Sequence, residues 1–117
     1  MIGIDIQDVD RLKDYVGTDK MKRLFSPREI EYIEKKGAAL ETIAGMFCAK
    51  EAFFKAVGSG ISFSQLTEVE ITHQKTGAPY YRLSPALIKQ HDLSSANIHL
   101  SISHTKTTAV AVCQISR

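Results

Sequence analysis

The 117-residue sequence predicts an α+β domain, a small antiparallel sheet packed against a long central helix with short additional helices around it. Two observations carry that expectation. Residues Ile43 to Ile61 are a run of helix formers that is apolar nearly all round, so this helix is buried. The remaining chain mixes short alternating strands, hairpin turns and capped helices, without the regular βαβ order of a parallel sheet. No repeat, low-complexity tract or linker divides it, so residues 1–117 are expected to form a single domain.

Composition narrows the function classes. Hydrophobic residues make up 44% and charged residues 24%, ordinary values for a soluble globular chain. A net charge of +2 argues against a broad nucleic-acid footprint, and no apolar run approaches a membrane span. Cys48 and Cys113 both lie in apolar stretches and show no metal-ligand spacing. They suggest a reducing compartment, and the N-terminal segment, which already carries Asp5 and Asp8, is neither a secretory h-region nor a transit peptide; a cytoplasmic location is expected.

Along the chain, Ile2 to Gln7 alternate strictly, with Ile2, Ile4 and Ile6 on one face and Gly3, Asp5 and Gln7 on the other, as in a half-buried strand. Asp5 is the odd residue there, since aspartate is depleted in strands. It is either a solvent-facing side chain near a strand end or a functional carboxylate. Asp8 is expected to cap a short helix through Tyr15 that Gly17 ends, and a second helical piece is expected over Thr18 to Phe25. Arg11, Lys20, Lys22, Arg23 and Arg28 gather five cations in this region. They make a solvated helix face or a docking patch for an acidic protein.

Ser26-Pro27-Arg28-Glu29 has the form of a capping box opening a helix to about Lys36, which Gly37 stops. The long helix follows and ends at Gly58-Ser59-Gly60. Thr67 to His73 and Pro79 to Leu83 read as a hairpin turning at Lys75-Thr76-Gly77, and Ser84-Pro85 starts another short helix. Ile98, Leu100 and Ile102 line one face of a strand that bears His99, Ser101 and Ser103 on the other; Thr108 to Ile115 is the last strand.

The long helix carries Lys50, Glu51 and Lys55 within two turns, and a buried charge needs a partner. Glu51 and Lys55 can pair with each other, worth about 0.2–0.5 kcal/mol on a helix surface, or both can point into a cleft. Magnesium prefers oxygen ligands and is typically held by one or two carboxylates with ligand phosphates, a role open to Asp5 and Glu51. Lys55 and Lys106 could neutralise phosphate oxygens, and the Gly58-Ser59-Gly60 turn lets backbone N–H groups approach an anion. Phosphate chemistry is the reading these residues suggest together.

Ile2-Gly3-Ile4-Asp5 and Phe47-Cys48-Ala49-Lys50-Glu51-Ala52-Phe53-Phe54-Lys55 resemble the two signature blocks of the 4′-phosphopantetheinyl transferase superfamily. Ser101-Ile102-Ser103-His104-Thr105-Lys106 resembles a third block, found in its short bacterial branch. The resemblance covers essentially the whole chain. It implies transfer of the 4′-phosphopantetheine arm of coenzyme A to a serine of an acidic apo-acyl-carrier protein, in support of fatty acid biosynthesis. It further implies Asp5 and Glu51 as magnesium ligands, Lys55 as phosphate clamp and His104, Thr105 and Lys106 in the coenzyme A cleft. The base is Glu51 or a water at the metal. Arg11, and less regularly Lys20, Lys22 and Arg23, match a carrier-protein docking region, and short relatives are homotrimers with clefts between protomers. One departure stands out: Met46 replaces an arginine that many bacterial relatives use toward coenzyme A phosphate, which leaves Lys50 or Lys106 for that contact. The rivals are a non-catalytic module that binds coenzyme A or a carrier protein, and a magnesium-dependent phosphate hydrolase.

Overall fold

The computed structural model describes residues 1–117. Its elements run β1 (Ile2–Asp8), α1 (Met21–Leu24), α2 (Pro27–Lys35), α3 (Leu40–Val57), β2 (Val69–His73), β3 (Pro79–Leu83), α4 (Pro85–Gln90), β4 (Asn97–His104) and β5 (Thr108–Ser116), with 3₁₀ helices at Val9–Tyr15 and Phe63–Glu68. The strands form two antiparallel sheets. One has the order β1-β5-β4 and the other is the β2-β3 hairpin. Between them lies α3, whose side chains from Ile43 to Phe54 are all buried.

Helix α3 begins three residues before its expected start and stops at Val57, just before the expected Gly58-Ser59-Gly60 terminator. Gly58 adopts the left-handed conformation (φ 76°), which releases the chain at little steric cost. The Ser26 capping box is present in full: Glu29 N–H donates to Ser26 Oγ at 3.3 Å and Ser26 N–H donates to Glu29 Oε1 at 2.9 Å. Ser84 caps α4 by accepting from Leu87 N–H at 3.2 Å. Other local expectations are corrected. Asp8 makes no side-chain cap bond, and Val9–Tyr15 is 3₁₀. Of Thr18 to Phe25 only the single turn Met21–Leu24 is helical, because Phe25 is already extended (φ −130°) and leads into the Ser26 cap.

The largest departure is in β1, whose burial runs opposite to its hydropathy. Gly3, Asp5 and Gln7 face α3 and are buried, while Ile2, Ile4 and Ile6 are 61–69% exposed. Backbone proximity sets this facing. A Cβ at Gly3 would overlap the carbonyl oxygen of Ala52 and lie 2.5 Å from the Ala56 nitrogen, so strand and helix meet main chain to main chain there. The register places Ile4 beside Val112 and Ile6 beside Val110, giving an open apolar face on the side of the sheet away from α3.

Candidate functional site

The close approach at Gly3 brings the next inward residue of β1, Asp5, against α3 at Glu51. Both carboxylates are buried, at 5% and 4% exposure, and they lie within hydrogen-bond reach of each other. Gln7 stands two residues further along the same strand face. Its Nε2 donates to Asp5 Oδ2 at 2.9 Å and to Glu51 Oε2 at 2.7 Å. Arg11, from the 3₁₀ helix, donates from Nη1 to Gln7 Oε1 at 2.6 Å. The Lys55 ammonium, half-exposed, reaches Asp5 Oδ1 at 3.1 Å. The pairing of Lys55 with Glu51, one of the two alternatives for these residues, does not form; Lys55 pairs with Asp5 instead.

Burial and proximity divide the two carboxyls. Burial acts most strongly on Asp5 and would raise its pKa, but hydrogen bonds with Glu51, Gln7 and Lys55 and the Lys55 charge together hold it below the ordinary value. Burial also leads at Glu51, followed by the hydrogen bond with Asp5 and its charge; the carboxyl is pushed up to about 7 despite Gln7 and Arg11. The chain's own donors therefore leave the doubly ionised pair under-compensated. Two facing carboxylates short of positive charge form a donor set that a small hard divalent cation fits.

Lys50 belongs to a different cluster. Its ammonium, completely buried, donates to Glu29 Oε1 at 2.7 Å and to the carbonyls of Leu66 and Val69 at 2.7 and 2.8 Å. All three donors are engaged in the core, so the expectation that Lys50 meets a coenzyme A phosphate is corrected. Glu29 adds a bond from Ile71 N–H at 2.9 Å, joining α2, α3 and the hairpin.

The remaining sequence candidates are distributed around this centre. Gly58, Ser59 and Gly60 lie exposed beyond the C-terminal end of α3, and Gly60 is also left-handed (φ 70°). His104 ends β4 and lines a cavity of about 200 Å³ with Gly45, Met46, Tyr32, His73 and Pro79. Thr105 shapes the following turn, its Oγ1 accepting from the N–H groups of Thr107 and Thr108 at 3.2 and 3.1 Å, while Lys106 is exposed at the tip. No hydrogen bond or ion pair joins these three residues to Asp5 or Glu51 within the chain. Lys20, Lys22 and Arg23 line a separate groove of about 630 Å³ with Tyr15 and the exposed Phe63. Gln7 went unnoticed in the sequence. Its signal was positional: it shares the inward face with Asp5 and precedes Arg11 by four residues.

This frame, one buried helix held between a three-stranded sheet and a hairpin, is that of solved holo-acyl-carrier-protein synthases. The Helicobacter pylori enzyme in complex with coenzyme A is similar with a TM-score of 0.82 and 34% identity, over 99% of this chain and 100% of that one. The Neisseria meningitidis enzyme gives 0.85 and 31%, over 99% and 97% of the two chains. The chain belongs to the 4′-phosphopantetheinyl transferase superfamily, whose family model matches residues 1–113. Among curated relatives, the holo-acyl-carrier-protein synthase of Caldicellulosiruptor bescii is 46% identical over 113 residues, 95% of this chain and 93% of the relative.

Proposed function

We propose that this chain is a holo-acyl-carrier-protein synthase: it transfers 4′-phosphopantetheine from coenzyme A to a serine of apo-acyl-carrier protein and releases adenosine 3′,5′-bisphosphate. The observation that carries the reading is the buried Asp5–Glu51 pair with Lys55 beside it, on a chain 46% identical to a relative of that name. The serine hydroxyl gives its proton to Glu51 or to a water at the site as its oxygen forms a bond to the pantetheine-side phosphorus. The bond from that phosphorus to the bridging pyrophosphate oxygen breaks, its electron pair leaving with adenosine 3′,5′-bisphosphate. Asp5 and Glu51 are the ligands for Mg2+, which when bound offsets charge developing on the pyrophosphate oxygens. Lys55, on the open side of Asp5, holds a phosphate oxygen. The cavity at His104 and the turn Thr105-Lys106 are the proposed seat of further coenzyme A groups, with Gly58, Ser59 and Gly60 flanking the cleft from the end of α3. With Lys50 committed to the core and Met46 apolar, Lys106 is the cation left for the contact that relatives make through arginine.

The partner is an acidic acyl carrier protein, received on Arg11 and on the groove of Lys20, Lys22 and Arg23. Three exposed isoleucines in line with Val110 and Val112 favour assembly through this sheet face, consistent with a homotrimer whose coenzyme A clefts lie between protomers. Residues 1–117 form one transferase domain, acting in the cytoplasm in fatty acid biosynthesis; no helix is long and apolar enough to cross a membrane.

Intact-mass spectrometry of apo-acyl-carrier protein incubated with this chain, coenzyme A and Mg2+ tests the proposal. A mass gain equal to one phosphopantetheine arm, abolished by a chelator, is expected. An unmodified carrier beside intact coenzyme A would overturn transfer in favour of a binding module, and coenzyme A consumed without a protein acceptor would reveal a hydrolase.

A further inference from the structure

Gln7 takes no part in the transfer just described, yet it occupies the centre of the site. It is only 6% exposed, and its single NH2 group is divided between the two carboxylates, at 2.9 Å from Asp5 and 2.7 Å from Glu51. Its carbonyl oxygen is fixed from the other side by Arg11 at 2.6 Å. Only one orientation of the amide is compatible with these neighbours. Reversed, it would set an acceptor against two acceptors and a donor against a guanidinium. The side chain therefore presents partial positive charge at the point where both carboxylates converge, in the position a bridging cation would take.

We propose that Gln7 is a positioning residue that holds the cation's place between Asp5 and Glu51 and couples that place to Arg11. The inference rests on the reading of Asp5 and Glu51 as cation ligands. A dication between the carboxylates would face two N–H donors, positive against positive, so the amide must withdraw. That motion breaks the bond from Arg11. The guanidinium, already exposed, is then free to meet an acidic partner. By reciprocity, a partner carboxylate that draws Arg11 away loosens Gln7 and favours the cation. Cation loading and partner docking thus reinforce one another through one side chain. A Gln7 that merely satisfies the hydrogen bonds of buried carboxylates would not produce this linkage, and neither would one that ligates the metal through its carbonyl without disturbing Arg11.

The test is an NMR titration of the full chain with MgCl2, without coenzyme A, at about pH 8.5, where acid competition for carboxylates is small. In the unsubstituted protein the Gln7 side-chain N–H pair should exchange slowly with solvent before addition and faster after it, and the non-exchanging Arg11 Cδ–Hδ signals should shift. Gln7→Leu, which keeps bulk and removes the donors, should bind Mg2+ about tenfold more tightly, the scale of one hydrogen bond to a charged group. Unchanged or weaker binding by Gln7→Leu overturns the placeholder role, and weaker binding would identify Gln7 as a ligand. Should that variant fail to fold, the titration decides: Gln7 and Arg11 side-chain signals unaltered at saturating Mg2+ also overturn the proposal. An unsubstituted protein that binds no Mg2+ at all would instead remove the reading of Asp5 and Glu51 on which it rests.

Discussion

Lys50 and Glu51 are consecutive on α3 and both are buried, yet they enter polar clusters of different kinds. Lys50 turns toward the hairpin, where Glu29 and two carbonyls engage all of its donors. Glu51 turns toward β1, where it meets another carboxylate, a neutral amide and, through that amide, a guanidinium. The first cluster is balanced in charge within the chain. The second is not: burial pushes both Glu29 and Glu51 upward, but at Glu29 the Lys50 charge opposes the shift, whereas at Glu51 the Asp5 charge adds to it and the carboxyl is pushed up to about 7. Burial of a charge therefore does not by itself mark function; a shortfall in its internal partners does.

Unbalancing the first cluster should have the largest effect. Glu29→Leu leaves the Lys50 ammonium buried without its counterion and removes the capping-box carboxylate, at a cost of about 3–5 kcal/mol in urea denaturation. Adding Lys50→Met should recover only part of that loss: it removes the uncompensated charge, but the Leu66 and Val69 carbonyls and the Ser26 and Ile71 N–H groups stay without their side-chain partners. Neither substitution should impair metal binding in protein that remains folded.

The second cluster should respond in the opposite way. Glu51→Gln keeps shape and removes one ligand charge, so the rate of carrier modification should fall by roughly 100- to 1000-fold while the melting temperature holds or rises. Near-normal turnover would remove Glu51 from the chemistry.

A smaller effect is expected in the pH dependence of stability. The Glu51 carboxyl is held above its ordinary value of 4.5, up to about 7, so the folded state binds its proton more tightly than the unfolded chain. That stabilisation is fully present below the unfolded value and is lost as pH rises through about 7. Asp5, held below its ordinary value, acts in the reverse sense and at lower pH. Cation-free protein should therefore lose on the order of 2 kcal/mol of stability between about pH 4.5 and 8. Mg2+ should restore it, and Glu51→Gln should flatten the profile; a flat profile in the unsubstituted protein would contradict the imbalance. The smallest effect is expected at the rim. Arg11→Glu should raise KM for the carrier protein several-fold with little change in KM for coenzyme A, and equal changes in both would argue against docking at Arg11.

What could be read from sequence was mostly local chemistry. The Ser26 and Ser84 caps and the Gly58 stop depend on residues within one turn, and they appear where the sequence implies them. The hairpin depends on alternation and a turn, equally local. Asp5 and Glu51 stood out as carboxylates in the wrong surroundings, an aspartate in a strand and a glutamate in a buried helix. Partner choice across the fold was less accessible. Lys50 finds Glu29, which sequence assigned wholly to a cap, because one carboxylate serves the cap with Oε1 and the hairpin with Oε2. The facing of β1 was hidden for a related reason: alternation defines two faces but not which is covered, and a glycine decided it against three isoleucines.

That glycine has a consequence for the carboxylate pair. Where β1 and α3 touch through main chain, a side chain at residue 3 would overlap the Ala52 carbonyl and part strand from helix. Asp5, carried on the same strand face, would be drawn away from Glu51 with it. A missing methyl group at residue 3 thus sets how near the two backbones stand from which Asp5 and Glu51 reach toward each other.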